Sequence, residues 1–418
     1  MTELTFLVAR AIGALATLVA SWVGNASVIG GRLALVVMPS FVRRARRDMD
    51  FPIVFVMGSN GKTTTAKYLV HLAEAAGETV LNNAAGSNMK TGIAALILRS
   101  WRSIRRGHYS LGIFEVDEAY AASIAHDLAP EFALVLNVQI DQIYRLHEPE
   151  RVRDMFAFTM PFVTRHIVVN GNDGLLVDAA ALPDVTATVS YFGLDGDKGI
   201  DALGLVDARR LKPSMDAISM QPSKGGYRVY GRRSKHDLVV PTEGIHFALN
   251  GLAALEMAEH VLDARNTLET NVERLRDATP AFGRGETIQS GNARFDIVLF
   301  KNRPSLQLNL DAARVPADTV VIAFDEYSQD PSWLFAVDYS SLDRVDAVSG
   351  EKADFLELAL AYAGVDIGTS NTSITAVVAD IDARYRDLAE PSLHRLFLDY
   401  DQMMATRAYF GKKMGVTA

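Results

Sequence analysis

The stretch Phe55-Val56-Met57-Gly58-Ser59-Asn60-Gly61-Lys62-Thr63-Thr64-Thr65 decides how the rest of the chain is read. Residues 53–57, Ile-Val-Phe-Val-Met, are apolar without interruption, as in a strand buried on both faces. A glycine loop over 58–65 and a helix over 66–76 follow from the pattern. In such a unit the loop amides point at phosphate oxygens, and the helix N-terminus adds partial positive charge. Lys62 is placed to reach the β- and γ-phosphates and the Thr63 hydroxyl to ligate Mg²⁺, with Gly58, Asn60, Gly61 and Thr64 completing the cradle. The longer phosphate-loop pattern has a glycine where Val56 stands. The short form is specific in its own right, because three hydroxyls follow the lysine at a helix start. The plain alternative is a glycine turn that caps a helix.

Further apolar runs at 111–116, 132–136 and 166–170 alternate with helix-like stretches, which predicts a parallel sheet flanked by helices. The first of them ends in Glu115-Val116-Asp117-Glu118. Ligands in open α/β sheets bind at the carboxyl ends of strands, so Glu115 is the expected Mg²⁺ ligand, ahead of Asp117 and Glu118. Residues 183–240 are rich in turn signals and predict a small β-rich insert, with a helix over 245–263. From 285 the alternation resumes, with strands expected at 295–300, 318–323, 343–348, 374–378 and 394–398 and a helix over 351–363. The division expected is a lead-in over 1–50, a central nucleotide-binding domain over 51–284 and a C-terminal α/β domain over 285–418.

Composition narrows the function. Hydrophobic residues at 49% and charged residues at 22% describe a globular chain and exclude a mostly disordered or collagen-like one. A net charge of −8 argues against a general nucleic-acid binder. The absence of cysteine excludes disulfides, Cys-ligated metal and a Cys nucleophile on this chain. Residues 5–22 are apolar and helical, interrupted by Arg10, and Arg43-Arg44-Ala45-Arg46-Arg47 follows them. The start lacks the positive charge of a secretory signal, and the run barely reaches the length of a membrane span. Two readings lead, a packed helix followed by a solvated basic turn and a helix lying on an anionic membrane surface, with a true span third.

Gly58-Ser-Asn-Gly-Lys-Thr-Thr-Thr65, the loop Asn83-Ala-Ala-Gly-Ser-Asn-Met89 and Glu115-Val-Asp-Glu-Ala119 together resemble the Mur ligase superfamily, and within it the MurT-type subunits. The likeness extends to Asn137-Val-Gln-Ile-Asp-Gln-Ile-Tyr-Arg145, Phe282-Gly-Arg-Gly-Glu286, Lys301-Asn-Arg-Pro304 and Ser332-Trp-Leu-Phe-Ala-Val-Asp338. It implies a Mur ligase-like α/β fold: a P-loop parallel-sheet central domain with a reduced β-rich insert, and a Rossmann-like C-terminal domain. It also implies ATP and Mg²⁺ as cofactors, a glutaminase partner of the GatD type, and lipid II as substrate at the inner face of the cytoplasmic membrane. Carried over residue by residue, the resemblance gives Gln142 to the metal, Asn250 to the adenine, Arg284 and Lys301 to phosphate, and Asp325 to the partner's catalytic histidine, with Asp330 as the other candidate. Family members generally carry a four-Cys zinc ribbon; this chain has no Cys and hence no such ribbon. Two other readings stay open. One is a stand-alone Mur-type amino-acid ligase, for which Lys198, Lys212 and Lys224 offer no convincing carbamoylated lysine. The other is a non-catalytic scaffold, against which Lys62, Thr63 and Glu115 speak.

Overall fold

A computed structural model describes residues 3–21, 28–83, 87–139, 148–196, 199–224, 226–232, 234–240, 244–263, 266–278, 284–313, 316–325 and 331–414. The chain divides into two compact units, the first comprising residues 1–139, 148–241 and 246–278, the second chiefly residues 279–418.

The first unit is built on a nine-stranded sheet of order β2-β3-β1-β4-β5-β6-β7-β8-β9. Its strands are β1 (Ile53–Met57), β2 (Val80–Asn82), β3 (Leu111–Glu115), β4 (Phe132–Val135), β5 (His166–Asn170), β6 (Thr188–Leu194), β7 (Ala217–Ser223), β8 (Gly226–Tyr230) and β9 (Lys235–Leu238). Pairing is parallel from β2 to β7 and antiparallel from β7 to β9. Every residue of β1, β3 and β4 is buried, as a parallel sheet covered on both faces requires. The stretch 183–240 is therefore no separate layer: β6 and β7 continue the parallel sheet, and β8 and β9 close its edge as a meander.

The helices of this unit are α1 (Glu3–Ser21), α2 (Ile29–Val37), α3 (Phe41–Arg46), α4 (Lys62–Ala75), α5 (Lys90–Arg105), α6 (Glu118–Leu128), α7 (Pro149–Thr159), α8 (Gly174–Ala180), α9 (Ile245–Val261) and α10 (Leu268–Leu275). The helix after the phosphate loop starts at Lys62, four residues before the expected 66, because Gly61 adopts φ +87° and forms its N-cap. Only glycine takes that conformation without strain, so the turn into the helix is made there.

The second unit carries a six-stranded sheet of order β10-β11-β15-β12-β13-β14. The strands are β10 (Arg284–Ser290), β11 (Ala293–Leu299), β12 (Thr319–Ala323), β13 (Arg344–Ser349), β14 (Asp366–Asn371) and β15 (Ser392–Leu398). β10 is antiparallel to β11, and all other pairs are parallel. Among the described residues, four helices pack on it: α11 (Arg303–Ala312), α12 (Ala353–Tyr362), α13 (Ile374–Tyr385) and α14 (Tyr400–Met414). The strand expected over 374–378 is corrected here. Ser373 caps a helix at that point, its hydroxyl accepting from the Ala376 amide at 3.3 Å, and the edge strand is the polar segment Asp366–Asn371 before it.

Candidate functional site

In the first unit the chain reverses its direction of travel across the sheet between β1 and β4, which is where an open α/β sheet leaves a crevice at its carboxyl edge. The loop after β1 lies at that edge and is laced to the segment after β4. The Ser59 amide donates to the Asn137 carbonyl at 3.0 Å, and the Asn60 amide to Asn137 Oδ1 at 2.8 Å. Asn60 Nδ2 donates to Gln139 Oε1 at 2.6 Å, and the Gln139 amide to Ser59 Oγ at 3.1 Å. Asp173, after β5, steadies that segment by accepting the Val138 amide at 2.6 Å. Burial pushes the Asp173 carboxyl up to about 7.

Three acids at the end of β3 and the start of α6 have three distinct roles. Thr63 Oγ1 donates to Glu115 Oε1 at 3.1 Å. The Glu115 backbone is clamped by Asn83, whose Oδ1 accepts the Glu115 amide at 2.8 Å and whose Nδ2 donates to the Glu115 carbonyl at 2.8 Å. Asp117 caps α6, accepting the Ala119 amide at 3.1 Å. Glu118 takes Lys62: its Oε2 lies 3.1 Å from Lys62 Nζ, with both side chains buried. The lysine also donates to the Gly58 carbonyl at 2.5 Å. A hydroxyl beside a carboxylate is a hard oxygen donor pair, so Thr63 and Glu115 fit a Mg²⁺ ion. Among the described residues no group of three or more His, Cys, Asp and Glu is arranged to hold a metal.

Asn250, on α9, rests over the phosphate loop. A Cβ added to Gly61 would sit 2.5 Å from Asn250 Oδ1, so glycine at 61 is needed for this approach as well as for φ. Gly58, Gly61, Lys62, Thr63, Glu115 and Asn250 are thus brought together within one unit, with Asn60 turned toward Gln139. Gln142 and Asp330 lie outside the described residues, as does Lys198. Lys212 and Lys224 are exposed in the β6–β9 region.

In the second unit, Lys301, Asp325 and Asp399 follow the carboxyl ends of the adjacent strands β11, β12 and β15. Lys301 is exposed, and its amide donates to Ser305 Oγ at 2.9 Å. Asp325 is half-buried. Its carboxylate accepts from Gln402 Nε2 at 2.9 Å, and its amide donates to Asp399 Oδ2 at 2.6 Å. Burial pushes Asp399 up to about 6, and the nearby Asp325 charge acts in the same direction. Gln402 Oε1 is buried without a hydrogen-bond partner among the described residues. Arg284 opens β10, its backbone paired with Val298. The sequence reading passed over Gln402 and Asp399, the clamp by Asn83, and the grip of Glu118 on Lys62. A carboxylate three positions after Glu115, in the first turn of a helix, was the one signal for the last.

A family model described as the Mur ligase middle domain matches residues 56–258, from the phosphate loop through most of α9. The Streptococcus pneumoniae protein named lipid II isoglutaminyl synthase (glutamine-hydrolyzing) subunit MurT is 24% identical over 365 residues, covering 78% of this chain and 79% of the relative. The chain thus carries a match to the Mur ligase middle domain and is similar to MurT subunits over about four-fifths of its length. Solved Mur ligases share its fold. MurF from Acinetobacter baumannii superposes with a TM-score of 0.69 at 14% identity, covering 92% of this chain and 80% of that one. MurF ligase from Thermotoga maritima, solved in complex with ADP, gives 0.66 at 15% identity, covering 91% and 84%. The expected Mur ligase-like α/β architecture is thereby established.

Proposed function

We propose that this chain is the ATP-using subunit of an amidating ligase that acts on lipid II. In this reading the α-carboxylate of the D-glutamate in the stem peptide attacks the γ-phosphorus of ATP. The bond to the bridging oxygen breaks and ADP leaves an acyl phosphate. Ammonia then attacks the acyl carbon, phosphate departs with the C–O electrons, and the nitrogen loses a proton to give the isoglutamine amide. Such transfers ask the protein for positioning and charge neutralisation. Lys62 supplies a positive charge at the phosphates. Thr63 and Glu115 would hold the Mg²⁺, which when bound neutralises phosphate charge, and Asn83 fixes the backbone of Glu115. Asn250 serves the adenine end in this reading, and Arg284 and Lys301 are assigned to phosphate.

The observation that carries the reading is the buried Lys62 beside the Thr63–Glu115 pair, 3.1 Å apart, at the carboxyl edge of the sheet. The MurT name of the relatives supports the acceptor and the subunit role. Ammonia release from glutamine in such systems needs an activated Cys thiolate, and this chain has no Cys. A glutaminase partner of the GatD type therefore enters the proposal, with Asp325 orienting its histidine. The test is ATP hydrolysis and amide formation by the purified chain with lipid II and ammonium, followed by glutamine with the partner. Turnover driven by a free amino acid in place of ammonium would instead mark a stand-alone ligase.

A further inference from the structure

Helix α1 is packed along one stripe and bare along the rest. Phe6, Ala9, Gly13 and Ala20 are buried. Phe6 stacks on Phe41 at 5.2 Å and meets Trp101 edge-on at 5.2 Å. Gly13 and Gly30 let α1 and α2 approach closely: a Cβ on Gly13 would lie 2.9 Å from the Gly30 carbonyl, and one on Gly30 would strike the Thr17 hydroxyl. Gly31 is pressed in the same way against Thr91 and Ala95 of α5. From Leu4 to Val19, every exposed residue of α1 is Leu, Val, Ile or Ala. Leu4 is 69% exposed, Leu15 63% and, on α2, Val36 72%.

Apolar surface this continuous marks an interaction site. Its charge setting says with what. The whole chain is acidic at −8, yet residues 1–50 hold six arginines against three acids, and residues 99–108, at the end of α5, hold four arginines and no acid. Arg10 lies over the Trp101 ring at 4.4 Å, and Arg44 over Phe6 at 4.7 Å. Arg32, Arg47, Arg102 and Arg106 are exposed on the same group of helices. Among the described residues this exposed face is aliphatic, and exposed arginines on the neighbouring helices complement an anionic lipid surface. The 18-residue window Glu3–Ala20 is apolar enough for a span, with a mean hydropathy of 1.7. Its packed stripe on α2 and α5 holds it in place along the first unit instead.

We propose that the α1–α2 pair lies on an anionic bilayer, with the exposed leucines and valines in the acyl region and the arginines at the headgroups. This does not rest on the ligase reading, because binding requires neither nucleotide nor acceptor. The experiment is flotation of the full chain with vesicles of phosphatidylglycerol and phosphatidylcholine, beside the double variant Leu15→Glu/Leu18→Glu. Both positions are exposed, and an unchanged thermal melt of the variant shows that its fold is intact. The expected result is flotation that depends on phosphatidylglycerol, weakens with salt and falls about tenfold or more in the double variant. Equal flotation of the variant, or no flotation of the intact chain, would overturn the proposal. So would a dimer of the intact chain that the double variant dissolves while neither form floats, since the face would then join two copies. Membrane association that survives high salt and alkaline carbonate would also overturn it, in favour of a span.

Discussion

At the scale of single residues, Glu115, Asp117 and Glu118 are divided among three partners: Glu115 accepts from Thr63, Asp117 caps α6 and Glu118 pairs with Lys62. Glu115 was legible, because it ends an apolar strand. That Glu118 and not Asp117 turns back to Lys62 was not, since the choice depends on where α6 begins and which residue caps it. Glu118 now serves as the buried counter-charge of Lys62, and a phosphate would take over that function. Removing one partner of a buried pair typically costs about 3–5 kcal/mol, and the carbonyl of Gly58 should reduce this for Lys62. Glu118→Gln should therefore lower the melting temperature without nucleotide and show a larger upward shift on adding Mg–ADP than the parent chain. Equal shifts in the two proteins would show that Glu118 does not compete with phosphate. Gly61→Ala adds a Cβ at φ +87° and 2.5 Å from Asn250 Oδ1. Strain of this kind costs on the order of 1–3 kcal/mol, so the variant should fold with a reduced melting temperature and lose most nucleotide affinity, read by calorimetric titration.

At the scale of elements, strands buried on both faces were legible because their apolar runs are continuous, as in β1, β3, β4 and β5. The edge strand β14 was not, since it is mostly exposed and its residues Asp366–Asn371 carry little apolar signal. The β-branched run 374–378 after it mimics a strand, and the cap by Ser373 overrides that local preference. The loop after β4 depends on a group that no periodicity reveals. Asp173 is pushed by burial to about 7, above the ordinary carboxylate value near 4. Between those pH values the folded chain holds on Asp173 a proton that the unfolded chain has released, so this group's contribution to stability falls as pH rises from about 4 to about 7. Asp173→Asn should flatten that slope, as thermal melts at pH 5 and pH 7 would report. An unchanged slope would place the pH dependence elsewhere.

At the scale of the whole molecule, Lys62 and Asp325 stand on different units and are proposed for different tasks, so their variants should separate. Asp325, held by Gln402 and beside Asp399, is assigned to the partner's histidine and not to the nucleotide. Asp325→Asn should lose glutamine-dependent amidation by several powers of ten, on the analogy of hydrolase triads, while amidation from concentrated ammonium persists. If both activities fall together, Asp325 belongs to the nucleotide chemistry or to the fold. Much of the central unit could be read from one local pattern, because a phosphate loop is contiguous in sequence. The second unit's acidic edge could be read only in part: Asp325 was named but Asp399 was not, because the two follow strands far apart in the chain. The most direct measurement is ATP turnover by the purified chain with lipid II and ammonium, set beside Lys62→Ala. The account predicts phosphate release coupled to amide formation in the parent chain, and loss of both in a variant that still melts as a folded protein. A folded Lys62→Ala protein with undiminished turnover would contradict it.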